Sequence, residues 1–244
     1  MNNNTRLTLS IAIGAGLVLS VASMLAVFSP MPAEAKNNVG QGTDQVEKFR
    51  ISGKVADAHW YVEDEEEETF TDVSIYLIDS AQNVYEDYPE SFLEVFISQY
   101  KITETCVIYD GEEYCYYDYE PVVQFFGYAE LKKSDFAISN NIRSASVTDV
   151  QVTGYEYVSG DEKTIIVDAK WIGEGSTLKV KSSYSETNEF YKVSFKGMGV
   201  GKDATASADI SGDLDISLDQ ISYSDASILK FRQGYMFRII EEPY

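Results

Sequence analysis

Two cysteines, a single histidine and an excess of carboxylates are the groups in this sequence that could do chemistry. Cys106 and Cys115 flank Asp110-Gly111, a dipeptide suited to a type I′ hairpin turn because both residues tolerate positive φ. With that dipeptide as the turn, Tyr109 faces Glu112, and counting outward Cys106 faces Cys115 on a non-hydrogen-bonded pair. The Cα atoms of such a pair lie about 4.5 Å apart, within reach of a disulfide. The two cysteines are therefore expected to staple a long β-hairpin over Phe92–Leu131. A metal pair or a redox pair would need a CxxC spacing or a nearby histidine, and the sequence has neither.

His59, beside Trp60, would have to serve any Ser-His-Asp or Cys-His arrangement, and the cysteines are already committed to the staple. No Walker loop or GxSxG elbow occurs, and Gly197–Gly201 follows a strand with no helix to receive a phosphate. A carboxylate pair acting on a polysaccharide, as in an extracellular carbohydrate-active hydrolase, is the alternative reading, although with 40 acidic residues pairs arise in any fold. Calcium is the one metal worth weighing. Its weak candidates are Glu65 and Glu66, in the acidic run Glu63–Glu68, and Asp213 and Asp215, on the face opposite the apolar positions of Ala204–Leu218. Neither stretch has the EF-hand spacing, so no cofactor is assigned.

The best candidate contact surface is the hairpin tip. There Tyr109, Tyr114, Tyr116, Tyr117 and Tyr119 alternate with Glu112, Glu113, Asp118 and Glu120. Tyrosine offers a rigid apolar ring with one hydrogen-bonding end, which suits sugars, protein partners or cationic ligands.

The elements that must position these residues are strands. From Val46 onward, Val, Ile, Tyr, Phe and Thr occur in short runs with no sustained helical period. Ile165–Trp171, Leu178–Val180 and Tyr191–Phe195 alternate cleanly, and a β-bulge near Thr148-Asp149 restores the phase of Ala145–Val158. The last segment reads as a strand or a hairpin around Gln233-Gly234. The expected fold is an all-β, single antiparallel β-sandwich, with a barrel as the alternative. The polar sides of the three alternating segments carry Lys170, Lys179, Lys181, Lys192 and Lys196, which would form one basic face if those strands are neighbours.

Charge is unevenly spread. The net charge is −21, and Lys36–Leu131 alone holds 22 acidic and 5 basic residues. That balance argues against nucleic acid, whose phosphates are bound by Lys and Arg. A basic face opposed by an acidic half permits head-to-tail self-association. Met1–Ala35 has the form of a signal peptide: Arg6, an apolar run over Leu7–Phe28, and Ala33-Glu34-Ala35 as cleavage site. The apolar run is long enough to span a bilayer, so an uncleaved N-terminal anchor is the alternative and the only membrane contact expected. Residues 36–45 read as a flexible lead and 46–244 as a single domain, secreted or on the cell surface, where a disulfide persists.

Val95–Tyr100, Gly127–Leu131, Asp135-Phe136, Ser144–Gly160, Val167–Gly175 and Asp203–Gly212 together resemble a loosely related set of secreted β proteins with no assigned activity. The resemblance implies an exported β domain, with a short loop in those proteins where this chain has its tyrosine-rich tip. It transfers no site residue. The function expected is a binding, adhesion or envelope or matrix structural module, with a cell-surface polysaccharide or protein as partner.

Overall fold

The computed structural model describes residues 46–64, 68–82, 91–110, 112–187, 191–214, 216 and 218–239. The readings made for the leader and lead, for Glu65 and Glu66, for Gly111 and for Asp215 fall outside those residues. Val46–Pro243 is one compact unit.

Ten strands run β1 (Val46–Asp64), β2 (Thr69–Gln82), β3 (Ser91–Tyr109), β4 (Glu112–Glu130), β5 (Phe136–Ile138), β6 (Ser144–Glu156), β7 (Asp161–Gly173), β8 (Leu178–Thr187), β9 (Tyr191–Gly212) and β10 (Leu218–Ile239). The fold is all-β and antiparallel, as expected, and the Cys106–Cys115 disulfide staples the β3–β4 hairpin. The ladders return on themselves. Strand β10 pairs with β1 on one side and with β9 on the other, so β1, β2, β3, β4, β6, β7, β9 and β10 form a ring, with β5 added on β6.

Opposite arcs of the ring face one another across a single apolar cluster, because alternate residues of every strand in the ring point inward. Ile75, Leu77, Leu93 and Ile97 are fully buried there, each worth about 1.5–3 kcal/mol relative to exposure. Trp171 of β7, also fully buried, reaches across the interior and its Nε1–H donates to the carbonyl of Asp57 on β1 at 2.9 Å. That bond satisfies a polar ring atom that burial would otherwise leave unpaired.

The bulge lies where the alternation slips: the β6–β7 register shifts between Val147 and Val150, and Asp149 takes φ 52°. Of the two readings of the last segment, the strand holds and the hairpin does not: Gln233 and Gly234 sit inside unbroken ladders, Gln233 opposite Ile51 and Gly197, and Gly234 opposite Arg50 and Lys196. Strands β7 and β8 are not neighbours. Both lie along one edge of the long β9, β7 on its C-terminal half and β8 on its N-terminal half.

Candidate functional site

Beyond Lys101, β3 has only β4 as a ladder partner, and β4 meets β6 only from Phe125 onward, so the end of the hairpin leaves the ring as a two-stranded ribbon. From Lys101 to Tyr109 it extends roughly 25–30 Å at the usual rise per residue. The register pairs Tyr109 with Glu112 and Cys106 with Cys115 as the turn chemistry required, and Asp110 adopts φ 53°. A free ribbon of two strands is marginal in water, and the disulfide compensates for the missing neighbours.

The ribbon divides the five tyrosines. Tyr109, Tyr114 and Tyr116 share one face with Glu112, Asp118 and Glu120; Tyr117 and Tyr119 share the other with Glu104, Ile108 and the disulfide. All five are exposed, Tyr109 most at 74%, and Ile108 reaches 79%. Tyr114 donates its hydroxyl to Glu112 Oε2 at 3.0 Å, which puts a carboxylate beside a phenol ring. Glu104 lies against both cysteine sulfurs, but sulfurs already joined to each other are not thiolate donors. Of the acidic candidates for calcium, Asp213 accepts from Thr164 N at 3.1 Å and returns its own N–H to Thr164 O at 2.9 Å, so it closes the end of β9 onto β7.

The basic face is larger than the sequence suggested and differently composed. Lys179, Lys181, Lys192 and Lys196 do share a face, since β8 lies beside β9 with Lys181 opposite Met198 and Ser183 opposite Lys196. Lys170 does not belong to it: it pairs with Ser207, an odd position of β9, whereas Lys192 and Lys196 are even. Instead the adjoining strands add to the face. The ladders align Lys54, Lys230, Val200 and Lys179 in one row, Ser52, Arg232, Met198 and Lys181 in the next, and Arg50, Gly234, Lys196 and Ser183 in a third. Lys48, Met236 and Ser194 follow. Between Lys48 and Lys54, Lys230 and Met236, Lys192 and Lys202, and Lys179 and Thr187 no acidic residue occupies this face; its acid lies on β2, where Asp79 stands opposite Lys54 and is engaged by Lys133, while Lys54 donates from Nζ to the carbonyl of Ile138. Gly234 forms its floor: a Cβ there would meet nothing within 4 Å. A hollow of about 620 Å³ opens at this point, lined by Lys48, Arg50, Ser194, Lys196, Tyr235 and Met236.

A third cluster lies on the outer side of β10, β1 and β2. Asp57 is 7% exposed and accepts a hydrogen bond on Oδ1 from the Ser227 hydroxyl at 2.6 Å. Burial, reinforced by Asp225 and opposed by the Ser227 bond, pushes its pKa up to about 7. His59 is held above its ordinary value by its 2.7 Å hydrogen bond to Asp72, with burial opposing. Glu94 is raised by burial as well. Shifted carboxyls beside a histidine have the ingredients of acid–base chemistry. Yet the one with the largest rise is shut away from solvent, and Tyr76, opposite it, packs on Phe96 with ring centroids 6.1 Å apart. His59 is the one member of this cluster singled out from the sequence; Ser227 and Asp225 come to Asp57 and His59 only through the β1–β10 ladder.

No protein-family model matches the chain, and no curated protein does. Among solved structures, the enduracididine biosynthesis enzyme MppR, complexed with the condensation product of pyruvate and imidazole 4-carboxaldehyde, aligns at 11% identity over 87% of this chain and 94% of that one. The TM-score is 0.21, at which the alignment carries no argument about fold or activity. Among the described residues no helix is long and apolar enough to cross a membrane.

Proposed function

We propose that the protein is an extracellular contact module, working in adhesion or in an envelope or matrix, whose contact surface is the stapled tyrosine ribbon. The observation that carries this reading is the exposure of Tyr109, Tyr114, Tyr116, Tyr117 and Tyr119 on a ribbon that contributes no side chain to the core. Exposing that much aromatic surface has a solvation cost, and staking a disulfide on the same segment rigidifies it in advance of contact. Carboxylates interleaved with the rings select for a partner that carries positive charge, since an ammonium or guanidinium can sit on a ring face and pair with the neighbouring acid.

The test replaces residues 102–119 by a two-residue Asn-Gly turn and compares the variant with the parent for retention on immobilised chitosan, neutral cellulose and a lysine-rich protein film. Retention of the parent on the cationic films, lost in the variant while its circular dichroism and melting temperature persist, is the expected result. Equal retention of both proteins would refute the assignment to the ribbon.

A further inference from the structure

The ribbon and the basic face lie at opposite ends of the same sheet. In the ladder from β1 to β3, Asp64 pairs with Thr69 and Thr69 with Lys101, so the ribbon projects past the C-terminal end of β1. The basic face occupies the N-terminal end of β1, from Lys48 to Lys54, and the matching ends of β10, β9 and β8. Along β1 the two are separated by the ten-residue stretch from Lys54 to Asp64, about 33 Å of extended chain, and the ribbon points away. A molecule cannot place its own ribbon on its own basic face.

Resting on the reading of the ribbon as a contact surface, we propose that its partner is the basic face of a second copy of this chain, so that molecules join head to tail. Charge complementarity is the first support. The ribbon face with Tyr109, Tyr114 and Tyr116 also carries Glu112 and Asp118, with Glu120 opposite Lys101 at its base, whereas Lys48, Lys179, Lys181, Lys196, Lys230 and Arg232 have no ion-pair partner among the described residues. Spacing is the second. Both surfaces are antiparallel β structure, so charges repeat along a strand at the same interval, about 6.7 Å, and one can lie on the other in register. Shape is the third. The two central tyrosines of the ribbon fall between its acidic residues, and the Gly234 hollow falls between Arg50 and Lys196, with Met198 58% exposed nearby. Phenol rings entering the hollow bring the carboxylates on either side over Lys48 and Lys196, which line it.

Such a contact is heterologous, because the two surfaces differ, so it propagates from molecule to molecule, as an open chain or, where the rotation between neighbours closes, as a ring. A ribbon of this length covers on the order of 400 Å² per partner, which belongs with weak, reversible interfaces. The net charge of −21 opposes association at very low salt. At about 0.1 M the screening length falls to about 10 Å, so facing charges attract while the remainder of the field is screened.

Sedimentation velocity of the full chain at roughly 200 µM tests the proposal, comparing 0.1 M with 0.5 M NaCl. Two double variants accompany it: Lys48→Glu with Lys196→Glu, and Glu112→Lys with Asp118→Lys. The parent is expected to show a concentration-dependent mass at least twice that of the monomer at 0.1 M, falling to the monomer at 0.5 M. Each variant alone is expected to stay monomeric at both, and an equimolar mixture to recover the parent's mass, because each reversed surface now matches the other. Recovery on mixing also shows that both variants fold. A parent that is monomeric throughout overturns the inference and leaves the ribbon's contact role to the film assay. Assembly that survives the 102–119 replacement overturns it too, by placing the interface elsewhere. Binding of dextran sulfate through the basic face by a parent that never self-associates overturns it in favour of a polyanion ligand.

Discussion

Replacing Asp57 by Asn is expected to stabilise the protein at alkaline pH and to do nothing comparable in acid. The carboxyl is buried on the outer side of β1, and burial is the main reason its pKa rises from 3.8 to about 7. In the unfolded chain the group ionises at its ordinary value, so the folded state holds a proton that the unfolded state has released. A raised folded pKa means that the associated stability is fully present below about pH 3.8 and is lost as pH rises to 7. Across that interval the loss comes to about 4 kcal/mol as an upper figure, at 1.36 kcal/mol per pH unit. Asn has nearly the same volume and can still accept the Ser227 hydroxyl bond, but it carries no charge to desolvate. At pH 8 the variant should therefore exceed the parent by roughly 2–4 kcal/mol, a melting temperature higher by about 5–15 °C for a domain of this size. At pH 5 the two should melt within a few degrees of each other. Thermal melts at matched ionic strength across pH 5–9 make the comparison. A difference that is constant with pH, or a variant less stable at pH 8, would falsify the account of Asp57 as a buried neutral acid.

Glu156 has the opposite sign. Burial acts to raise its pKa but is outweighed by bonds from the N–H groups of Gln124, Val158 and Ser159 at 2.9, 3.0 and 2.6 Å, which draw it down to about 2. Its contribution is present above pH 4.5 and fades as pH falls towards 2, so Glu156→Gln should cost about 2–3 kcal/mol at neutral pH and converge with the parent in acid, read by urea unfolding at pH 7 and pH 3. Removing the staple with Cys106→Ser and Cys115→Ser should raise amide exchange across 102–119 by at least tenfold while leaving exchange at Val73–Leu77 unchanged, since the ribbon shares no core residue; slowed folding of the whole ring would contradict this. Millimolar calcium should give no melting shift beyond that of magnesium at equal ionic strength, because Asp213 already spends an oxygen on Thr164 N; a calcium-specific rise of roughly 5–10 °C would locate a site at Glu63–Glu68 or Asp213–Asp215.

What could be read from the sequence was whatever depended on near neighbours. The Asp110-Gly111 turn dictated which residues face each other in the hairpin, so the cysteine pairing followed by counting. The phase slip around Thr148-Asp149 likewise marked the bulge, since period-two alternation cannot skip a residue without one. Parity within a strand, however, says nothing about parity across strands. Lys170 and Lys196 each lie on the polar side of their own strand, but those sides face opposite ways: β9 is apolar at odd positions over Tyr191–Phe195 and at even positions over Ala204–Ile210, where Lys170 pairs with the odd Ser207. The cations of β1 and β10 join the basic face through pairings as distant as Lys54 with Lys230, which no local pattern encodes. Gln233-Gly234 resembled a turn for a similar reason: a glycine that serves as the floor between two charged neighbours is locally indistinguishable from one that bends the chain.

Closure of the ring has a consequence for synthesis. The first strand, β1, meets one of its two neighbours only when the last strand, β10, exists, through pairs such as Ala56 with Ile228. Until those final residues leave the ribosome, β1 and β9 each present an open edge and the apolar interior has a gap in its wall. A chain cut short before Leu218 would keep that gap permanently, exposing two hydrogen-bonding edges to any strand in the vicinity. The same adjacency of first and last strands means that joining the ends of the ring and opening it at the β1–β2 connection should leave every ladder intact.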